Sequence, residues 1–169
     1  MTRKTLSLKV KRKTDATPAD EIIKAGTPVD PQKLFLNGIA VHPSQCIQLE
    51  LGSKQLSMRA MDLISPIGMG QRGLIVAPPG CGKTTMLKHI CQSVGDAYPE
   101  IKLYALLIDE RPEEVTDFQR SVPAEVHASS SDQGYKQHVR VANKLLNKAQ
   151  KQAGEGHDVM IVIDSLTRL

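Results

Sequence analysis

A chain of 169 residues is long enough for one domain with a hydrophobic core. Its 40% hydrophobic content fits a soluble globular protein, and its 3% aromatic content, with no Trp, requires that core to be aliphatic. The net charge of +4 arises in the first 13 residues, where Arg3, Lys4, Lys9, Lys11, Arg12 and Lys13 meet no acid; the remainder carries 16 basic against 18 acidic residues. No apolar run approaches the roughly 18 residues that cross a bilayer, and no apolar stretch follows the basic start as a secretory signal requires. No membrane association and a cytoplasmic location are therefore expected. Cys46, Cys81 and Cys91 have neither zinc-ligand spacing nor an even count, which suits a reducing compartment.

In chain order, residues 1–37 read as a flexible basic arm with Pro18, Pro28 and Pro31 and one short candidate helix near residues 21–25. Such an arm either binds a polyanion or is a solvated terminus. Residues 46–51 alternate like a half-buried strand, residues 58–64 form a further extended or short structured stretch, and residues 65–73 form a glycine-rich loop. From there strands alternate with helices. Apolar strands are predicted at residues 74–77, 102–108 and 159–163, with a short one at 125–128. Helices are predicted from Lys83 to about Val94, from Pro112 to Arg120, and from a cap at Asp132 to Gly154. Buried apolar strands separated by helices mean an α/β fold with a mostly parallel sheet covered on both faces.

The chemistry begins at Ala77-Pro-Pro-Gly-Cys-Gly-Lys-Thr84, a glycine turn between a strand and a helix. This is a P-loop: backbone N–H groups of Gly80, Cys81, Gly82, Lys83 and Thr84 make an anion nest at a helix N-terminus. Lys83 is placed to reach the β- and γ-phosphates of ATP, and the Thr84 hydroxyl to ligate Mg²⁺. Cys81 reads either as a thiol activated by the helix N-terminus or as a small residue that fits a tight turn. Asp164 ends an apolar strand some eighty residues later and has the Walker B position, a second Mg²⁺ ligand. Asp109 and Glu110 end the 102–108 strand at the same sheet edge. They point opposite ways if the strand continues. Glu110 is the candidate base for the water that attacks the γ-phosphate, although an acid pair here can also serve only the following helix.

Three stretches carry a resemblance that covers residues 41–169. They are Leu107-Ile-Asp-Glu-Arg-Pro-Glu-Glu-Val-Thr-Asp-Phe-Gln-Arg120, Pro66-Ile-Gly-Met-Gly-Gln-Arg-Gly-Leu-Ile-Val-Ala-Pro-Pro79 and Asp164-Ser-Leu-Thr-Arg-Leu169. Together they resemble the Rho family of bacterial transcription termination factors. The resemblance implies a RecA-like P-loop NTPase core at residues 38–169, assembling as a homo-hexamer that hydrolyses ATP and pulls on RNA, with RNA polymerase as a further partner. It implies that Glu110 is the catalytic carboxylate, that Arg111 contacts nucleotide, and that Gly68, Met69, Gly70, Gln71, Arg72, Gly73 and Thr85 line the ATP site.

The sequence also departs from that family. Gly80 replaces a common Lys and Thr85 a common Met. Residues 1–37 are expected to be too few for the oligonucleotide-binding barrel that the family has ahead of its core, and the strand that the family inserts between the Walker A and Walker B strands, the RNA-gripping loops and the arginine finger are expected to be missing from the five residues after Asp164. The expectation is a RecA-like domain incomplete at its C-terminus, with a gap in its sheet and marginal stability. The alternative function is a nucleotide-binding remnant or regulatory subunit without motor activity.

Overall fold

The structure is a computed structural model that describes residues 2–8 and 30–168, with side chains from 30 to 167. Its main sheet is organised around β5 (Lys102–Glu110), in which residues 103–108 are buried. β5 pairs in parallel with β6 (Glu125–Ser130) on one side and with β7 (Val159–Asp164) on the other. β1 (Thr2–Leu8) runs antiparallel to β7 and, across its other edge, antiparallel to β4 (Gly73–Ala77). The order is thus β4-β1-β7-β5-β6, and four of the five strands point the same way.

Strand alternation distributes the core between two layers. Leu103, Ala105 and Leu107 face Leu87, Ile90 and Val94 of α3 (Lys83–Ala97) and Phe118 of α4 (Pro112–Ser121). Tyr104, Leu106 and Ile108 face Ala142, Leu145 and Ala149 of α5 (Tyr135–Gly154). The expected α/β class and its mostly parallel sheet are present. Among the described residues, no helix is long and apolar enough to cross a membrane.

The structure departs from the sequence expectations at six places. First, β4 and β7 are not separated by an empty slot, because β1 pairs with both. Facing strand edges present unpaired N–H and C=O groups, and a segment of the arm satisfies them. Second, β2 (Cys46–Ile47) is only two residues long. The Asp62 carboxylate accepts hydrogen bonds from Leu49 N–H at 3.1 Å and Glu50 N–H at 2.9 Å, which turns Leu49–Gly52 into a 3-10 helix. Third, Asp62 belongs to α2 (Leu56–Ile64), a helix where an extended or short structured stretch was expected. Fourth, β3 (Ile67–Gly68) pairs with β2 within the expected loop.

Fifth, Asp132 does not cap α5. The cap position is Gly134, and the Asp132 carboxylate accepts instead from the Ser130 hydroxyl, which holds its pKa below the usual carboxylate range. One helix within residues 1–37 is also unanticipated: α1 (Pro31–Leu36) starts on Asp30, whose side chain accepts from Gln32 N–H at 3.1 Å. It packs across the end of α5, where a Cβ on Gly154 would lie 1.7 Å from the Pro31 carbonyl oxygen. The candidate helix near residues 21–25 lies outside the described residues.

Candidate nucleotide-binding site

β4 delivers the chain into the phosphate loop, and the loop turns on two glycines. Gly80 and Gly82 have φ of +77° and +76°, in the left-handed region that residues with a Cβ rarely adopt. An added Cβ would meet nothing within 4 Å at either position, so the requirement is conformational and the space in front of the loop is open. Gly82 is the N-cap of α3, whose first N–H groups therefore face that space without a side-chain cap.

Lys83 follows and is only 8% exposed. Its ammonium donates to the Ala77 carbonyl at 2.8 Å and the Pro78 carbonyl at 2.6 Å, which fastens the loop back to the end of β4. Beside it, Thr84 Oγ1 donates to Asp164 Oδ2 at 2.8 Å. Asp164 is fully buried at the C-terminal end of β7. A residue from the phosphate loop and one 80 positions later are thus joined directly.

The end of β5 supplies the third component. Ile108 pairs with Ser129 and Glu110 with Ser130, so the β5–β6 register shifts across Asp109, whose φ is +60°. This bulge breaks the alternation that would have sent Asp109 and Glu110 to opposite faces. Both line one open cavity of about 420 Å³ with Gly80, Gly82, Lys83 and Thr84. Three further lining residues, Glu114, Ser165 and Thr167, are not evident from the sequence. Position is the signal for them: Glu114 lies in the first turn of α4, and Ser165 and Thr167 follow Asp164 around the same sheet edge.

Other candidate residues lie outside that lining. Gly68 is paired with Cys46, and its N–H donates to Gln71 Oε1 at 2.7 Å, so residues 68–71 form a closed turn ahead of β4. Arg111 is the exposed N-cap of α4. Cys81 is exposed on the phosphate loop, and Thr85 is exposed in the first turn of α3.

The donor set fits a polyphosphate with a hard divalent cation. It combines a glycine nest, an ammonium, and hydroxyl and carboxylate oxygens, with no soft ligand in the cavity lining. Among the described residues no group of three His, Cys, Asp or Glu forms a self-sufficient metal site. A cation held by Thr84 and Asp164 would therefore complete its shell with phosphate and water oxygens, as Mg²⁺ does.

Comparison with known proteins agrees with this chemistry. Residues 57–169 match the ATP synthase alpha/beta family, nucleotide-binding domain. The chain is 48% identical over 143 residues to the transcription termination factor Rho of Karelsulcia muelleri (strain SMDSEM), covering 85% of this chain and 38% of that protein. It is 49% identical over 139 residues to Rho of Haemophilus influenzae and 50% identical over 139 residues to Rho of Neisseria gonorrhoeae, covering 80% of this chain and 33% of each relative. The chain thus spans about a third of the length of these curated relatives. With the match extending from α2 through the phosphate loop to the end of β7, the chain belongs to the ATP synthase alpha/beta family of nucleotide-binding domains.

Proposed function

We propose that the chain is the ATP-binding part of a Rho-like, RNA-dependent ATPase and helicase motor acting in transcription termination. Residues 38–169 are read as the N-terminal part of its RecA-like ATPase domain and residues 1–37 as a basic arm. The observation that carries the reading is the convergence of Lys83, Thr84 and Glu110 on one cavity, with Asp164 bonded to Thr84 behind it. RNA as the polymer acted on, RNA polymerase as a partner, a homo-hexameric ring and a cytoplasmic setting follow from the likeness to Rho.

In this reading the glycine nest and the N-terminus of α3 bind the phosphates, and Lys83 exchanges its carbonyl partners for phosphate oxygens. Thr84 and Asp164 hold Mg²⁺, which when bound neutralises charge on the β- and γ-phosphates. Glu110 orients the attacking water and accepts its proton. Arg111, Cys81, Thr85 and residues 68–73 are read as further nucleotide contacts.

The test is Glu110→Gln in the chain and in a protein completed by the C-terminal half of a Rho relative. ATP binding is expected to persist within about twofold while RNA-stimulated hydrolysis falls by two orders of magnitude or more, the scale of a lost general base. Hydrolysis indifferent to RNA would overturn the RNA part. ATP binding with no turnover in the completed protein would support a nucleotide-binding role without motor activity.

A further inference from the structure

Ser129, 1% exposed near the end of β6, and His138, 7% exposed in α5, are buried polar residues outside the nucleotide chemistry that touch each other. Ser129 Oγ lies 2.6 Å from His138 Nδ1 and 2.9 Å from Gln133 Oε1. The hydroxyl has one proton, so when it donates to Gln133 the Nδ1 proton of His138 completes the chain by donating to Ser129. Buried polar atoms need such partners, and these three residues supply them to one another.

The three residues bracket the turn at 130–134. Gln133 N–H donates to the Ser130 carbonyl at 3.0 Å, and Gln137 N–H donates to the Gly134 carbonyl at 2.8 Å, which leads the turn into α5. Residues 131–134 themselves are exposed, so packing fixes only their buried end at Ser129 and His138. From this turn, Ser131 N–H donates to the Glu110 carbonyl at 3.2 Å. Ser129 and Ser130 also stand opposite Ile108 and Glu110, the two residues that flank the Asp109 bulge.

We propose that His138 is a positioning residue for Glu110: it anchors Ser129 and Gln133, and the turn they fix holds the Glu110 carbonyl and the bulge that directs Glu110 into the cavity. The functional meaning of this device rests on the reading of Glu110 as the catalytic carboxylate. A residue that served only the packing of α5 would affect the whole domain. A positioning residue acts on Ser131 and Glu110 and leaves the phosphate loop as it is.

The experiment compares the full chain with His138→Ala, His138→Asn and Ser129→Ala by amide hydrogen exchange, ATP affinity and ATP turnover. Asparagine can place an amide where Nδ1 stands. Ser129→Ala removes the anchor with little change in volume, which covers the case in which His138→Ala does not fold. Exchange at Ser131 is expected to rise at least tenfold in both Ala variants and to return toward wild type in His138→Asn, while Leu106 and Leu145 keep their protection. Turnover is expected to fall at least tenfold with ATP affinity within twofold. Unchanged exchange at Ser131, or acceleration shared equally with Leu106 and Leu145, would overturn the proposal. So would unchanged turnover in a chain whose Glu110→Gln variant is inactive. If wild type turns over no faster than Glu110→Gln in the protein completed by the C-terminal half of a Rho relative as well, the catalytic reading of Glu110 fails, and the exchange results then decide whether His138 holds the turn.

Discussion

Thr84 and Asp164 meet through a 2.8 Å hydrogen bond although the strands that carry their two segments, β4 and β7, have no pairing with each other. β1 lies between them, and its register places Thr2 opposite Ala77 and Thr5 opposite Ile163. The relative position of the phosphate loop and the Walker B strand is therefore set twice, by the backbone of β1 and by this side-chain bond. Several consequences can be measured.

Thr84→Val keeps the shape of the side chain and removes its oxygen. In the proposed site this takes one ligand from Mg²⁺ and leaves the glycine nest and Lys83 in place. The gain in ATP affinity on adding Mg²⁺ is expected to shrink at least tenfold, about 1.4 kcal/mol, with metal-free affinity little changed. Thr84→Ser should restore it. Calorimetric titration with and without Mg²⁺ measures both quantities.

The cysteines should separate by reactivity. Cys91 is fully buried in α3, and burial pushes its thiol from 9.0 up to about 12, whereas Cys46 and Cys81 are exposed. A thiol reagent at pH 8 should modify Cys46 and Cys81 in the folded chain and leave Cys91 intact, and ATP should slow modification of Cys81. Because the folded pKa is the higher one, the unfolded state loses this proton first as pH rises. The contribution to stability is complete below pH 9.0 and is lost progressively toward about 12. Chemical denaturation in that window should show a flatter pH dependence for Cys91→Ala than for wild type.

The parts of this site that could be read from the sequence were those written in local chemistry. Glycines before Lys83-Thr84 have few other uses after an apolar strand, and the apolar runs ending at Ile108 and Ile163 could only be buried strands. The Asp109 bulge was not readable, because a positive φ at a non-glycine residue follows from the match between β5 and β6 and from no pattern in either. Leu49–Gly52 was misread because its turn depends on the Asp62 carboxylate, 13 residues from Leu49. β1 was missed for a similar reason: its partners are β4 and β7, far along the chain, and its own composition is that of a basic arm. α1 carried a signal in Asp30-Pro31, but six residues with no buried side chain leave no helical periodicity to see.

β1 gives a prediction about stability. Its register joins five residues to β4 and four to β7. At a net 0.5–1.5 kcal/mol per backbone hydrogen bond, losing this pairing costs on the order of several kcal/mol, a large share of the roughly 5–15 kcal/mol that holds a domain together. Deletion of residues 2–8 should lower the melting temperature by many degrees and speed amide exchange in β4 and the β1-facing edge of β7. Exchange at Ala105 in β5 should change least while the domain remains folded. A deletion variant with unchanged melting and exchange would show that β1 does not support the sheet.

The outer face of β6 tests whether charge or packing governs the other side of the sheet. Lys148 Nζ donates to both Glu125 carboxylate oxygens at 2.6 and 2.5 Å, and His127 Nε2 lies 2.8 Å from one of them. The hydrogen bond from Lys148 holds the Glu125 carboxyl below its usual range. The Glu125 side chain is 50% exposed, however, and solvent screening limits such a pair to roughly 1 kcal/mol or less. Its depressed folded pKa means that the contribution is present above the unfolded carboxylate range and disappears as pH falls through the folded value. Directly beneath, Leu145 is fully buried among Tyr104, Leu106 and Ile161, and its truncation to Ala should cost about 2–5 kcal/mol at any pH. Urea denaturation of Glu125→Gln and Leu145→Ala at pH 7 and again in acid should therefore show a small loss that vanishes in acid for the first and a large, pH-independent loss for the second. Equal losses at pH 7 would mean that the Lys148–Glu125 pair is far less screened than its exposure implies.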